Sequence, residues 1–585
     1  MFLLECALLL LGLCLYAFLW KQTVLEFGAV SYRYDKNPKQ TSSMPLSVDS
    51  DGSILTGSVH LHLMPIHSTH FTIVADDCLS QLTINTKVFP NDPDTPCDYT
   101  QKRPVDLRNY LKSGENTLRF VIQDSGGKGG IDIQPSSVDP VVMLRELLLF
   151  AIIALGIFII VRHVPKLRGS VLPKIFFVGV ILRWSYFLAT PSSVRSYDSG
   201  AHVDYIFYVL RQWNIPATSQ GWESYQPPLY YFLSALWLQL TNILGLSGFS
   251  AETRTQFLSV LFSVGAFLVA LWIGFMLYPE EKQKGKLLLF GSLMATIPAL
   301  LLMSPRIGND SLFHLLAFLA FALLLRWWNT KGRISRRFWI ASCITIALGI
   351  LTKSNMLPIL AIAWILLVFK KTGWKEKVML FGISAAILLL LTDWLYLLRF
   401  LTEGSLSIVG NVGNLSSGLL LKSSLPHLLA FPPLLILQQP FNDPWADALG
   451  RQYFLTYLFR SAFFGEFSFS PLLHLAQGML ALALIAIPIF VFGISRDLMK
   501  NARRSLPLAI AFIVLIASHF AFRIHAPFSP SEDFRFSILM VIPVIAFVID
   551  GAYALPKWLR RLGLGVIWLL VLACTAFFIL IPFVM

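Results

Sequence analysis

A carboxylate, an imidazole and several tyrosines lie within one polar stretch of this 585-residue chain. The stretch runs from residues 197–202 (YDSGAH) to residues 225–231 (YQPPLYY), and it follows a long apolar segment. Residues four apart share one face of a helix, so Asp198 and His202 are predicted to lie side by side. An ionisable pair beside a membrane is costly unless it is used, and the stretch therefore predicts part of an active site at a membrane surface.

The composition is typical of a membrane protein. Hydrophobic residues make up 55% of the chain, charged residues 14%, and the mean hydropathy is +0.65. Apolar runs of roughly 16–22 residues, the length that crosses hydrocarbon, recur along the sequence, and we predict about thirteen transmembrane helices. Their predicted positions are 1–20, 143–162, 172–190, 256–278, 287–304, 311–328, 338–352, 356–370, 377–397, 472–494, 506–522, 535–553 and 562–583.

One large polar region, residues 21–141, separates an uncleaved N-terminal anchor (1–20) from a transmembrane catalytic domain (142–585). Runs of alternating polar and apolar residues, such as 58–63 and 117–122, predict an antiparallel β-sandwich. About 80 of its residues resemble jelly-roll modules of the galactose-binding type, which often accompany carbohydrate enzymes. A lid that only packs on the rest of the protein is the alternative. If the module is exported, Cys78 and Cys97 are predicted to form a disulfide bond.

The net charge is +14, and the distribution of Lys and Arg among the loops predicts an orientation in the membrane. In a soluble protein this excess would suggest nucleic acid as a partner. Here Lys and Arg cluster in short loops, as the positive-inside rule expects, so we predict no nucleic-acid partner. The basic loops alternate correctly only if the apolar stretch 229–246 does not cross the membrane. The β domain and the loop that contains Asp198 then face outward, and the N-terminus is cytoplasmic.

Several further ionisable residues fall in loops on the same outer face. They are Asp204, Glu223, Arg306, Asn309, Asp310, Lys353, Glu466, Arg523, His525, Glu532, Asp533 and Arg535. Such a set of residues suits a lipid-phosphate-linked donor substrate. The lipid chain of this substrate stays in the bilayer while its phosphate lies at the surface. Basic groups stabilise the departing phosphate, and a carboxylate accepts the proton of the attacking hydroxyl.

The order of these elements resembles the GT-C superfamily of glycosyltransferases, near its protein mannosyltransferase and aminoarabinose transferase branch. The matching elements are a span, Asp198 with His202, the Pro227-Pro228-Leu229-Tyr230-Tyr231 helix, the Asn309-Asp310 turn, and Glu532-Asp533-Phe534-Arg535-Phe536 before a further span. The resemblance covers about residues 170–550. It implies a GT-C type fold, and transfer of a sugar from a polyprenyl- or dolichyl-phosphate donor to a glycan, lipid or protein acceptor.

The resemblance implies that Asp198 is the principal catalytic carboxylate. Among the other residues of the outer face, Asp310 is a second catalytic candidate, and the candidate substrate-binding residues are His202, Tyr225, Gln226, Arg306, Lys353, Glu466 and Arg535. Structural alternatives exist, because an Asp at a helix start is favoured by the helix dipole or as a cap. Two departures from the family leave the donor open: Ser199 stands where mannosyltransferases typically have Glu, and Gln226 stands where many relatives have Lys.

Other functions fit parts of the pattern. A transporter or flippase for lipid-linked glycans would place ionisable residues near span centres. A ligase that joins lipid-linked glycans would lack the early Asp loop, and a non-catalytic receptor would use only the β domain. No certain cofactor is predicted, although Asp198, His202 and Asp310 could hold a divalent cation. A bacterial inner membrane, with the site facing the periplasm, is the expected location, and the endoplasmic reticulum is the alternative.

Overall fold

A computed structural model of the chain describes residues 2–23, 25–42, 44, 46–49, 54–76, 78–90, 104–124, 128–136, 139–163, 170–190, 192, 197–244, 250–404 and 417–584. The chain divides into two compact units. The first comprises residues 1–169 with 581–585, and the second comprises residues 170–580.

The polar part of the first unit is built from eleven described strands. They are β1 Glu26–Phe27, β2 Val30–Tyr34, β3 Gln40–Ser42, β4 Leu46–Asp49, β5 Ile54–Leu63, β6 His70–Asp76, β7 Cys78–Ile84, β8 Lys87–Phe89, β9 Pro104–Asp106, β10 Gly114–Gln123 and β11 Lys128–Pro135. The two alternating runs noted in the sequence lie inside β5 and β10. Their apolar residues point to one face because successive side chains in a strand alternate.

These strands form two antiparallel sheets. One has the order β3-β2-β5-β10-β7-β8, with β1 also paired to β5, and the other has the order β4-β11-β6-β9. Buried residues of both sheets, including Val59, Phe120 and Ile133, share a single core, so the domain is a β-sandwich as predicted. Its assignment to the galactose-binding jelly rolls stays a prediction. Cys78 is disulfide-bonded, whereas its predicted partner Cys97 lies outside the described residues.

Two helices complete the first unit, α1 Phe2–Thr23 and α2 Pro140–His163. They pack antiparallel, because Arg145 donates to Thr23 Oγ1 near one end and Arg162 lies 3.1 Å from Glu5 near the other. The Glu5 carboxylate in an apolar helix is thereby neutralised, as a charge at that depth requires.

The second unit is almost entirely helical. Its helices are α3 Leu172–Leu188, α4 Ser199–Gln212, α5 Leu229–Ile243, α6 Ala251–Leu277, α7 Glu280–Thr296, α8 Pro298–Leu302, α9 Asp310–Asn329, α10 Gly332–Ile350, α11 Leu357–Phe369, α12 Trp374–Leu391, α13 Asp393–Glu403, α14 Leu425–Leu429, α15 Pro433–Gln438, α16 Phe454–Phe464, α17 Leu473–Lys500, α18 Ala502–His525, α19 Val541–Ala554 and α20 Lys557–Val584. Short 3₁₀ turns lie at Ser354–Met356, Ser417–Leu419, Asp447–Leu449, Ser470–Leu472, Ser529–Glu532 and Phe534–Met540.

The helices identify a multi-pass membrane protein. Within the described residues, six helical segments are long and apolar enough to cross a bilayer, and α12 with α13 makes a seventh if that bent pair is one span. Most of the thirteen predicted spans coincide with a helix to within a few residues. The total of thirteen stays a prediction, since several of these helices are shorter than a bilayer-crossing segment.

Polar contacts gather the basic loops of the second unit at one end of its helices. Lys286 lies 2.5 Å from Asp550, and Arg504 lies 3.4 Å from the same carboxylate. Arg336 pairs with Glu376 at 3.3 Å. The first two contacts join α7, α18 and α19, and the third joins α10 and α12. Trp328 of α9 donates its indole N–H to Arg503 O of α18. The loops that the sequence assigned to the cytoplasm therefore meet one another.

Helix α5 does not lead to that basic end. Its first residue, Leu229, donates its N–H to Leu351 O. Near its last residue, Arg254 of the first turn of α6 donates to Thr241 Oγ1, and Gln256 donates to Thr190 O after α3. Both ends of α5 therefore lie at the end of the bundle opposite the basic loops, as the non-crossing interpretation requires.

Candidate functional site

Asp198 lies at the N-cap position of α4, yet its side chain makes no capping hydrogen bond. The side chain is exposed. The residue before it, Tyr197, has φ of 48°, in the left-handed region that non-glycine residues rarely adopt. Strain of this kind is held in place by surrounding contacts and is concentrated at functional sites. The simple capping interpretation of Asp198 is therefore not supported by its hydrogen bonding.

His202 lies one turn later on α4 and is buried. Its Nδ1 is 2.8 Å from the Tyr231 hydroxyl, and the two rings are stacked. A Cβ on Gly308 would lie 3.1 Å from His202 Nε2, so the ring is packed on both edges. Burial, followed by the nearby Lys353 charge, lowers the pKa of His202 to about 3. The imidazole is therefore neutral at physiological pH.

The loop 223–226 leads into α5 and is held by an arginine from another helix. Arg399, on α13, donates to three consecutive carbonyl oxygens, those of Ser224, Tyr225 and Gln226. Gln226 in turn donates from Nε2 to the Tyr225 hydroxyl and accepts from Asn309 Nδ2 at 3.0 Å. Gln226 therefore joins its own loop to the Asn309 turn by hydrogen bonds. It occupies the position where many members of the family that the sequence resembles were expected to have Lys.

Asp310 begins α9 and forms a buried ion pair. Lys353 Nζ lies 2.5 Å from Asp310 Oδ1, and the two side chains are 7% and 6% exposed. Arg535 Nη1 lies 4.0 Å from the other carboxylate oxygen. The preceding Asn309 donates to Thr352 O as well as to Gln226. One carboxylate thus holds two cations from distant parts of the chain.

Tyr197 connects these cations to the Asp198 loop. Its ring is contacted by Arg535 at 4.1 Å and by Arg306 at 5.3 Å from the ring centroid. Its hydroxyl donates to Asp533 Oδ2 at 3.2 Å. Gly465, at φ of 60°, comes so close that a Cβ there would lie 2.6 Å from this hydroxyl. Guanidinium–aromatic contacts hold both arginines without neutralising their charge.

Two further carboxyl groups are buried close to this cluster. Glu466 accepts a hydrogen bond from Tyr457 at 3.1 Å, and its pKa is raised by burial and by the Asp533 charge. Burial, followed by the Asp198 charge, raises the pKa of Glu223 to about 8. The site therefore contains both charged and neutral carboxyl groups at the same pH, which is how acid and base roles are usually separated.

The chain is similar to two solved structures. ArnT from Cupriavidus metallidurans bound to undecaprenyl phosphate is 13% identical, with a TM-score of 0.34 over 65% of this chain and 77% of that one. The arabinosyltransferase EmbB from Mycobacterium smegmatis is 11% identical, with a TM-score of 0.33 over 94% of this chain and 53% of that one. No protein-family model and no curated protein matches the sequence.

The described residues do not offer an obvious metal site. No group of three or more His, Cys, Asp and Glu side chains among them is arranged to hold an ion. Of the three residues considered for a divalent cation, Asp310 is paired with Lys353, and His202 contacts Tyr231. These side chains therefore do not fit the cation site that the sequence left open.

The structure brings most of the proposed site residues into one network. Direct contacts link His202, Tyr225, Gln226, Arg306, Asp310, Lys353 and Arg535 to it, and Glu466 interacts electrostatically with Asp198 and Arg535. Sequence reasoning gave no role to Tyr197 or Arg399. The position of Tyr197 directly before Asp198 was the one available signal, whereas nothing in the local sequence distinguishes Arg399.

Arg523 and Glu532 form a separate network. Arg523 Nε lies 2.5 Å from Glu532 Oε1, and neither side chain is exposed. The same guanidinium donates to Ser423 Oγ and Lys422 O. The pair therefore fixes the segment after residue 416 against the end of α18, rather than joining the cations around Asp310.

Proposed function

We propose that the chain is a membrane glycosyltransferase that transfers a sugar from a polyprenyl-phosphate donor to an acceptor hydroxyl group. One observation carries the proposal. At a single end of an apolar helical bundle, the exposed carboxylate of Asp198 lies in the same cluster as three cations, the buried Arg306 and Lys353 and the largely buried Arg535. A substrate that matches this end needs an anionic group near the surface and an apolar part that stays in the bilayer.

The charge change of the reaction explains why cations are needed. The donor is a phosphodiester with one negative charge, and breaking its sugar–oxygen bond leaves a lipid phosphate monoester with up to two. Fixed positive groups stabilise this developing charge without having to reorganise. The guanidinium groups of Arg306 and Arg535 contact the Tyr197 ring, and Arg535 Nε has no hydrogen-bond partner among the described residues. In the proposal, the phosphate binds beside these guanidinium groups.

The proton from the acceptor needs a base. As the acceptor oxygen bonds to the sugar carbon, its hydroxyl proton passes to the Asp198 carboxylate. Asp198 suits this role because no capping hydrogen bond occupies its oxygens. Asp310 is less suited as the base because Lys353 already donates to it. Its proposed role is to hold Lys353 and Arg535 in place, although it was first considered as a second catalytic carboxylate.

The same arrangement supports a proposed orientation and location. Because the basic loops meet at the opposite end, the positive-inside rule would place the site on the outer face of the membrane. A bacterial inner membrane with a periplasmic site is the favoured setting. The undecaprenyl phosphate bound to ArnT makes that lipid the first probe to test.

The decisive experiment replaces Asp198 by Asn. We expect Asp198→Asn to bind undecaprenyl phosphate normally but to transfer sugar about 10²–10⁴-fold more slowly, since Asn cannot accept the proton. The assay measures transfer from labelled undecaprenyl-phosphate sugars by the purified protein in lipid nanodiscs. Asp204→Asn, an exposed position on the same helix, is the matched control and should retain activity.

Two results would contradict the proposal. Near-normal transfer by Asp198→Asn would remove Asp198 as the base and make Asp310 the next candidate. Wild-type protein that neither binds undecaprenyl phosphate nor releases it from any sugar-linked form would reject a transferase. Movement of the intact lipid-linked sugar across a vesicle membrane would instead support the flippase alternative.

A further inference from the structure

Glu223 is a buried acid with no cation in direct contact among the described residues. The residue is 5% exposed, and within the described part of the chain its Oε2 atom has no hydrogen-bond partner. No described cation lies within 4.0 Å of its carboxyl group, although a side-chain hydrogen bond with Gln226 favours the charged form. Its backbone carbonyl accepts from Gln226 N, so the side chain belongs to the turn that Arg399 holds. A carboxyl group that is desolvated and lacks a contacting cation is more stable in its neutral form.

The charged groups around Glu223 favour the same state. Asp198, from α4, is the strongest charged influence and disfavours a second negative charge. Lys353 and Arg535, which both interact with Asp310, act in the opposite direction but more weakly. The neighbours Tyr225, Gln226 and Tyr231 are polar and uncharged at neutral pH. Arg399 is a cation, and its guanidinium is bound to the backbone carbonyl oxygens of the same turn.

We propose that Glu223 is a neutral carboxylic acid that binds a hydroxyl group of an uncharged saccharide, next to the base Asp198. The inference rests on the proposed transferase function and names its substrate class. A protonated carboxyl group donates one hydrogen bond and accepts another, which matches a sugar hydroxyl. The neutral amine of an amino sugar at this position would accept the carboxyl proton and form a buried ion pair, whose desolvation cost disfavours amino sugars. The hydroxyl belongs either to the transferred sugar or to the acceptor.

The protonation state is measured first, without any substrate. Infrared spectra of wild-type protein and of Glu223→Gln in nanodiscs are compared at about pH 6 and about pH 10, on either side of the shifted titration. We expect a carboxylic-acid carbonyl band in the wild type that Glu223→Gln lacks and that disappears at the higher pH. Glu252→Gln, in the first turn of α6, is the control and should leave this band unchanged. If the wild type and Glu223→Gln have the same band intensity at about pH 6, the neutral state is wrong.

Transfer assays then test recognition. Glu223→Gln keeps an uncharged donor and acceptor, so its kcat/KM should stay within about threefold of the wild type at neutral pH, whereas Glu223→Leu should lose about tenfold. The wild type should also lose activity as pH rises through about 8, and Glu223→Gln should not. An inactive Glu223→Gln would instead mean that the carboxylate form is needed, and an unchanged Glu223→Leu would mean a purely structural role.

Two comparisons separate the possible sources of the hydroxyl. If Glu223→Leu raises the KM for the undecaprenyl-phosphate hexose, the hydroxyl belongs to the transferred sugar. If it raises only the KM for the acceptor, the hydroxyl belongs to the acceptor. A wild-type preference for an undecaprenyl-phosphate amino sugar over the hexose would overturn the proposal. Failure of the proposed function itself is distinguishable, because it would abolish transfer of every donor while leaving the infrared result intact.

Discussion

Replacing the Lys353 side chain tests how much one buried ion pair contributes to the stability of the site. Its ammonium lies 2.5 Å from Asp310, while the guanidinium of Arg535 lies 4.0 Å from the same carboxylate. At an effective dielectric constant of about 20, these distances correspond to gross attractions of about 7 and about 4 kcal/mol. Desolvation of the ions offsets much of this energy. Truncating one partner of a buried pair nevertheless costs about 3–5 kcal/mol, because the other charge is left uncompensated.

Lys353→Met should therefore lower the free energy of unfolding by about 3–5 kcal/mol. Arg535→Met should lower it by less, since Arg535 is the more distant partner. Unfolding in mixed micelles with increasing SDS, followed by tryptophan fluorescence, measures both. The double variant Lys353→Met with Asp310→Asn should recover part of the loss, because it removes the orphaned charge together with its partner.

A matched control lies at the other end of the bundle. Lys286 also sits 2.5 Å from a buried carboxylate, that of Asp550, but its side chain is 21% exposed and Arg504 is a second partner at 3.4 Å. Lys286→Met should therefore cost less than Lys353→Met and should spare lipid-phosphate binding. A cost below about 1 kcal/mol for Lys353→Met, or no recovery in the double variant, would refute the electrostatic reasoning.

Two other predictions test packing and topology. Gly493→Ala should destabilise the protein by about 1–3 kcal/mol, because a Cβ there would lie 2.0 Å from the Phe547 carbonyl oxygen. The control is Gly478→Ala on the same helix, where a Cβ meets nothing within 4 Å. In the same SDS titration this control should be neutral or slightly stabilising. Cysteines introduced at Lys87 and Lys331, both exposed, should be labelled by a membrane-impermeant maleimide from opposite sides of intact vesicles, and labelling from one side would reject the predicted orientation.

The elements that the sequence predicted well are those set by local patterns. An apolar run such as that of α6 or α20 has the length that a bilayer demands, and few other structures accommodate it. Alternation in β5 and β10 likewise admits one assignment, because shifting the register by one residue would turn the apolar side chains to solvent. The non-crossing helix α5 came from counting charges in distant loops rather than from its own composition.

The sequence proposed members of the candidate site, but it did not indicate the contacts between them. Charges at an expected outer face singled out Asp310, Lys353 and Arg535, yet no local signal indicates that one carboxylate holds both cations. Arg399 is an ordinary residue near the end of a span, and only the folded chain shows its three carbonyl contacts. The left-handed backbone conformation of Tyr197 likewise cannot be inferred from the local sequence, since the residue contacts segments hundreds of residues away.

Those long separations have a consequence for biogenesis. The hydroxyl of Tyr197 meets the carboxylate of Asp533 across 336 residues of intervening chain. At a synthesis rate of about 5–20 residues per second, Asp533 is added on the order of tens of seconds after Tyr197. During that interval the nascent chain already occupies the bilayer among its future substrates. In the proposed transferase, the cations and the base come from segments made at different times, so an unfinished chain would have no assembled centre and could not consume the donor.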